Sequence, residues 1–173
     1  MQYLKPKSVT GLDFSEKAVD FCKKHYSVWG LSFNVGNAES IPFKDEKFDV
    51  IINIESSHCY SNMDCFLSGV SRILKPNGYF LFADFRGKGK INSLRRQLKN
   101  SGLNLLKEKK ITKNVLKSLD LDNERKSELI IKKTLKLFRK SFFDFAAIKG
   151  SEVYESFKTG EREYFSFVLQ KII

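Results

Sequence analysis

The stretch Phe48-Asp49-Val50-Ile51-Ile52-Asn53-Ile54-Glu55 decides the fold. It is apolar and β-branched, too short for an ordinary helix, and it turns polar abruptly at its end. Such a run suits a strand buried on both faces, as in a parallel sheet. Downstream, Phe66, Val70, Ile73 and Leu74 mark one face of a helix, and Pro76-Asn77-Gly78 marks its close. Tyr79-Phe80-Leu81-Phe82-Ala83 is a second apolar strand, ending at Asp84. Upstream, Ser8-Val9-Thr10-Gly11-Leu12 reads as a strand ending at Asp13. Ser15 stands where a helix N-cap belongs, with Ala18, Phe21, Cys22 and His25 at helical spacing behind it. Leu31 to Val35 is a further strand, and Lys44-Asp45-Glu46 a turn. The order strand, helix, strand, strand, helix, strand predicts an α/β domain with a mainly parallel sheet.

The second half has another character. Ile91, Leu94 and Leu98 predict a helix ending at Gly102, residues 103–111 a strand, and residues 113–147 helices. Within these, Ile131, Leu135, Phe138 and Phe142 form an apolar stripe among charges. Glu163-Tyr164-Phe165-Ser166-Phe167-Val168-Leu169 closes the chain as a strand. A helical insertion before the last strand makes a cap at one end of the sheet, and open α/β sheets bind ligands at the carboxyl ends of their strands.

With 173 residues the chain fits a single domain over 1–173, and with 42% hydrophobic residues, 16 of them Phe, it can build a sizeable core. No apolar run reaches the roughly 20 residues that span a bilayer, and the N-terminus has no apolar stretch of signal-peptide length, so a cytoplasmic location is expected. Cys22, Cys59 and Cys65 have neither disulfide nor zinc spacing and read as reduced core thiols. Charge is unevenly spread. Residues 1–85 carry 9 Lys+Arg against 10 Asp+Glu, whereas residues 86–173 carry 22 against 10. A basic half can meet an anionic partner. The basic residues are nonetheless scattered among acids, as on a solvated surface, and no nucleic-acid partner is expected.

Four places could carry chemistry. Asp13, at a strand end, can accept hydrogen bonds from both hydroxyls of a ribose; it can equally be an acid placed at a helix N-terminus. In Gly36-Asn37-Ala38-Glu39-Ser40-Ile41-Pro42-Phe43, the Asn37 amide and the Ala38 N–H can pair with a base edge, or serve an ordinary loop. In Asn53-Ile54-Glu55-Ser56-Ser57-His58-Cys59-Tyr60, polar groups crowd the carboxyl end of the deciding strand. His58 there is a candidate general base or a loop histidine satisfied by a hydrogen bond. Asp84-Phe85-Arg86-Gly87-Lys88-Gly89-Lys90 lacks the spacing of a phosphate loop and reads as a flexible basic turn.

Taken together, Val9-Thr10-Gly11-Leu12-Asp13-Phe14-Ser15, Gly36 to Phe43, Phe48-Asp49-Val50-Ile51 and Leu74-Lys75-Pro76-Asn77-Gly78-Tyr79 resemble, in order and interval, the class I S-adenosylmethionine-dependent methyltransferases. Glu55 to Tyr60, Ala83-Asp84-Phe85-Arg86 and Tyr154-Glu155-Ser156-Phe157-Lys158-Thr159-Gly160 narrow the resemblance to a branch that O-methylates fatty acids and polyketide-derived lipids. The resemblance covers nearly the whole chain. It implies an incomplete Rossmann-like sheet with an antiparallel last strand, residues 1–90 as the cofactor half, and a cap over 113–147 that receives a small or lipid-like acceptor. It implies S-adenosylmethionine as cofactor, held by Asp13, Phe14, Asn37, Ala38 and Asn53, with Glu55 and His58 as catalytic residues and no metal. It also implies a first strand and glycine-rich loop ahead of Asp13. No such loop precedes it here, and Met1-Gln2-Tyr3-Leu4 resembles the tail of the helix that follows one. Poor or absent turnover by the chain alone is therefore expected. The alternative is an inactive remnant that binds or oligomerises, with unpaired strand edges favouring a homo-oligomer.

Overall fold

The computed structural model describes residues 5–172. The expected helix tail at residues 1–4 lies outside them. The elements are β1 (Val9–Asp13), α1 (Glu16–His25), β2 (Leu31–Val35), β3 (Phe48–Ile54), α2 (Met63–Ile73), β4 (Leu74–Gly87), α3 (Ile91–Asn100), β5 (Asn104–Lys110), α4 (Thr112–Leu121), α5 (Asn123–Lys133), α6 (Arg139–Phe145), α7 (Glu152–Thr159) and β6 (Arg162–Gln170).

Helix starts follow the capping chemistry in the sequence. The Ser15 hydroxyl accepts from the Ala18 N–H, Asn62 from Cys65, and Ser151 from Tyr154. The helix before the second apolar strand stops at Ile73, earlier than Pro76-Asn77-Gly78 suggested. Pro76 pushes Lys75 out of the helical region, and Leu74 already belongs to β4. Strand β4 also continues past Asp84 to Gly87, because Arg86 and Gly87 pair with Glu163 and Arg162. The expected flexible turn at 84–90 is thus strand, followed by a short 3-10 turn at Lys88–Lys90.

The sheet is in two pieces. β1 pairs with β2 in parallel, and a four-stranded sheet runs β3-β4-β6-β5. β3 and β4 are parallel, whereas β6 runs antiparallel to both β4 and β5. Among the described residues β1 is bonded only to β2, and β3 only to β4. The core lies on one face of the larger sheet. Phe80, Phe82, Phe165, Phe167 and Leu169 meet Phe66, Leu67 and Val70 of α2 and Leu94 and Leu98 of α3. The opposite face is open, with Val50, Ile52, Ile54, Tyr79 and Leu81 exposed. The β1–β2 piece is held to the core through Ile41, Leu12 and Ala38.

Because β6 is antiparallel to its neighbours, the chain between β5 and β6 lies at the carboxyl end of β4. The helices α4 to α7 fill that insertion; α4 to α6 cover the expected helical span 113–147, and α7 follows it. One expectation fails here: Cys59 and Cys65 are exposed, not core residues, Cys59 in the 3-10 turn Ser57–Cys59 and Cys65 in the first turn of α2. The apolar stripe of residues 131–142 does not pack inward: Ile131, Leu135, Phe138 and Phe142 are all exposed. Thr134 is extended and ends α5, so the stripe is broken between two helices, and Ile130 is buried in its stead.

Candidate active site

The carboxyl end of β3 gathers three of the expected residues. Asn53 is the last inward-facing residue of the strand. Its Nδ2 donates to Ser56 Oγ at 2.8 Å and to Tyr60 Oη at 2.9 Å, and those two hydroxyls are themselves 2.9 Å apart. Its Oδ1 is buried with no hydrogen-bond partner. An orphaned buried acceptor costs roughly 1–3 kcal/mol unless a ligand donor meets it. Glu55 follows at φ +53°, a conformation rare for a residue with a side chain. Its N–H is bonded to Ala83 O, which continues the β3–β4 ladder and swings the chain away from the sheet.

The next turn carries His58 onto Asp84. The His58 ring Nδ1 is 2.8 Å from Asp84 Oδ1, and its backbone N–H donates to Asp84 Oδ2 at 2.9 Å. The Ser57 hydroxyl donates to the same Oδ2 at 2.6 Å, and the Phe85 N–H to Oδ1 at 2.8 Å. Arg86 lies 3.2 Å from Asp84 Oδ2 and also donates to Ser57 Oγ at 2.8 Å. Asp84 is fully buried, while 28% of the His58 side chain is exposed. Burial works to raise the Asp84 pKa. Hydrogen bonds from Ser57 and His58, the Arg86 charge and the Phe85 amide outweigh it and hold the carboxyl below its usual range. An ionised acceptor at Nδ1 fixes the tautomer with the proton on that nitrogen, which leaves Nε2 free to accept one.

Packing holds the ring. Phe85 lies 4.3 Å from the His58 ring, centroid to centroid, and Phe157 of α7 packs edge-on against Phe85 at 5.4 Å. Beside them the Tyr164 phenol is buried. Burial first, then Glu55 and Asp84, push its pKa up, so it stays a neutral donor beside a carboxylate. Sequence reasoning passed over Asp84, Arg86, Ser57 and Tyr164 as members of this cluster. The signal for Asp84 was present: an acid closing a five-residue apolar strand needs donors around it.

The remaining expected residues stand on the smaller sheet. Asp13 ends β1. Its Oδ1 accepts from the Ser15 N–H at 2.8 Å, and its side chain is exposed. Phe14 is 79% exposed. Asn37 caps the 3-10 turn Ala38–Ser40 by accepting from the Glu39 N–H at 2.8 Å, which leaves its Nδ2 donor outward. Both the helix-start reading of Asp13 and the loop reading of Asn37 thus describe what these carboxyl and carbonyl oxygens do, and each side chain keeps a second polar atom for a ligand. Glu39 ties the two pieces together, accepting from the Ser61 and Asn62 N–H groups at 2.8 and 3.1 Å. Arg72 donates to the carbonyls of Ile41 and Phe43. Among the described residues no hydrogen bond joins Asp13 or Phe14 to the His58 cluster. Two open grooves of about 470 and 510 Å³ run along α2, lined in part by Asp64, Ser68 and Arg72. Neither touches His58 or Asp84, so neither serves this cluster. Among the described residues no group of three or more His, Cys, Asp or Glu could hold a metal, and no helix is long and apolar enough to cross a membrane.

Residues 2–158 match the model of a methyltransferase domain. The chain belongs to that family, the class I S-adenosylmethionine-dependent methyltransferases. This methyltransferase domain is 33% identical over 168 residues to the phthiotriol/phenolphthiotriol dimycocerosates methyltransferase of Mycobacterium tuberculosis, covering 97% of the chain and 62% of the relative. It is 37% identical over 116 residues to the fatty-acid O-methyltransferase of Mycolicibacterium smegmatis, covering 67% of the chain and 42% of the relative. The domain thus spans about three-fifths or less of the length of these relatives. In fold it is similar to Haemonchus contortus phospholethanolamine N-methyltransferase 2, solved with phosphomonomethylethanolamine and S-adenosylhomocysteine, with a TM-score of 0.78, 16% identity, and coverage of 96% of the chain and 44% of that structure. The expected fold class, a mixed Rossmann-like sheet with an antiparallel strand, is the one found. The family's cofactor is S-adenosylmethionine.

Proposed function

We propose that this domain methylates the oxygen of a lipid-like acceptor, with His58 as general base and Asp84 as the residue that positions it. The observation that carries this reading is the buried, ionised Asp84 bonded to both the backbone and the ring of His58. The cofactor, when bound, supplies an electrophilic methyl group. The acceptor hydroxyl is oriented with its hydrogen toward His58 Nε2, which takes the proton as the new bond to carbon forms. Asp84 stabilises the imidazolium that results. Glu55, held in its strained turn, orients groups near the donor and is itself faced by the neutral Tyr164 phenol. The residues fit the cofactor: the orphaned Asn53 Oδ1 awaits a donor such as an amine or hydroxyl. The second Asp13 oxygen suits a ribose hydroxyl. The exposed Phe14 ring suits a base, and Asn37 Nδ2 and the Ala38 N–H suit a base edge. β1 and β3 each have one strand partner among the described residues, and a further parallel strand joining them, with its following loop, would hold the amino-acid end of the cofactor. Exposed thiols at Cys59 and Cys65 suit a reducing, cytoplasmic compartment.

A second reading is favoured by β1 and β3, each paired on one side alone among the described residues. A domain with free edges at β1 and β3 can serve as a binding or oligomerising remnant without turnover. Calorimetric titration of the purified chain with S-adenosylhomocysteine decides between them. The first reading expects binding that weakens on Asp13→Ala and on Asn53→Leu and is untouched by His58→Gln. A folded chain that takes up no S-adenosylhomocysteine leaves the remnant.

A further inference from the structure

We propose that the outer surface of α5 and α6 docks on the anionic face of a phospholipid bilayer. Four aromatic or aliphatic side chains that a water-facing cap would not need are among its most open: Leu135, Leu137, Phe138 and Phe145 are between 52% and 89% exposed. Phe142 and Phe145, three apart, share one face of α6, and Phe138 stands at its N-cap, four residues before Phe142. Ile131, four residues before Leu135, extends the apolar residues back into α5. Single exposed apolar residues need no explanation, but a contiguous set marks an interaction surface.

The charges around it name the partner. Residues 129–143 hold Lys132, Lys133, Lys136, Arg139 and Lys140 and no Asp or Glu; the acids of these helices are Glu124 and Glu128 in the first half of α5, and Asp144, which accepts from the Glu152 N–H. Arg139 is spent on the end of α5, donating to the carbonyls of Ile131 and Thr134. The four lysines form no ion pair among the described residues, and all four are exposed. Leu and Phe interleaved with unpaired Lys, at low overall hydrophobicity, is the pattern of a helix that lies in the headgroup region and does not span the bilayer. A second protein would more readily match a surface carrying both signs of charge. A nucleic acid would leave the aliphatic Leu135 and Leu137 without a role. The insertion lies at the carboxyl end of β4, the end that bears His58, so docking here brings the candidate site to the lipid surface. Only this last link, delivery of a lipid-like acceptor, rests on the proposed methyl transfer; the docking itself does not.

The test is flotation of the chain with extruded vesicles of phosphatidylglycerol and phosphatidylcholine, against vesicles of phosphatidylcholine alone. Binding to the anionic vesicles is expected, weakening several-fold as salt screens the lysines. The triple variant Phe138→Ser, Phe142→Ser, Phe145→Ser should bind at least ~10-fold more weakly with an unchanged circular dichroism spectrum. A Phe142→Trp chain that also carries Trp29→Phe should show blue-shifted emission quenched by brominated lipid, since Trp29 stands at the other end of the sheet. Three results overturn the proposal: no flotation of the folded chain, flotation unaffected by the triple variant, or a chain that is a dimer until those phenylalanines are replaced. Tighter capture by a single-stranded RNA than by anionic vesicles would also overturn it. None of these bears on S-adenosylhomocysteine binding, so the two readings fail separately.

Discussion

At the scale of single residues, the proposed chemistry turns on one fully buried carboxylate. Five donors surround Asp84: the Ser57 hydroxyl, the Phe85 amide, the His58 amide and ring, and the Arg86 guanidinium. Its pKa is depressed in the folded state. A depressed carboxyl contributes stability that is fully present above the unfolded value, near pH 4, and is lost as pH falls through the folded value. Asp84→Asn should therefore lower the melting temperature at pH 7, and the deficit against the parent chain should shrink as pH falls below about 4. Calorimetric scans of both chains across that range check it; a deficit independent of pH would show that Asp84 acts by shape alone. Removing one partner of a buried ion pair costs about 3–5 kcal/mol, so Asp84→Ala, which strands Arg86, should be worse than Asp84→Asn. For turnover, His58→Gln should lose roughly 10²–10⁴-fold in kcat, the range of a general base, with affinity for S-adenosylhomocysteine retained. Unchanged kcat in a polypeptide with a complete cofactor seat would remove His58 from the mechanism.

Elements show what the sequence could and could not disclose. Apolar runs and helical spacings located the six strands and α1 to α3, since those signals are local, whereas the breaks that divide residues 113–147 into α4, α5 and α6, and the whole of α7, were not read. The end of β4 was missed because pairing with β6, some 75 residues later in the chain, decides it: Arg86 and Gly87 look like a loop until Glu163 and Arg162 are laid beside them. Asp84 was misjudged for the same reason, as its donors come from another loop. The stripe at residues 131–142 has helical period in the sequence, but periodicity says only that an apolar face exists, not what it meets, and the break at Thr134 turned it outward. The loop after β2 opens on a glycine with little room around it. Gly36 must be small: a Cβ there would stand 2.7 Å from Leu12 Cδ1 and 3.0 Å from the Pro42 ring. Gly36→Ala should cost about 1–3 kcal/mol by overpacking and displace Asn37 and Ala38 beyond it. The urea midpoint reports the first effect. An unchanged midpoint would mean that Leu12 swings aside freely and the glycine is not a steric requirement.

For the whole molecule, the divided sheet is the main physical problem. Among the described residues β1 and β3 each present an unpaired parallel edge, and beside the β3 edge lies an apolar face in which Val50, Ile52 and Ile54 are 48–61% exposed. Edge and face together are a template for pairing. In water alone, this chain should self-associate at micromolar concentration, either through β3 edges or face to face. Ile52 and Ile54 stabilise nothing in the monomer at that exposure, so Ile52→Lys with Ile54→Lys should change the melting temperature little, within the roughly ±0.5 kcal/mol of surface substitutions. The same pair should convert an associated chain to a monomer in sedimentation, because each lysine puts like charges across any symmetric contact. If the parent chain sediments as a monomer at these concentrations, the edges are tolerated by water and the oligomerising reading falls. If the lysine variant is monomeric but unfolded, the face is part of the domain's own core in solution. β1 and β3 would then already be joined by contacts within one chain.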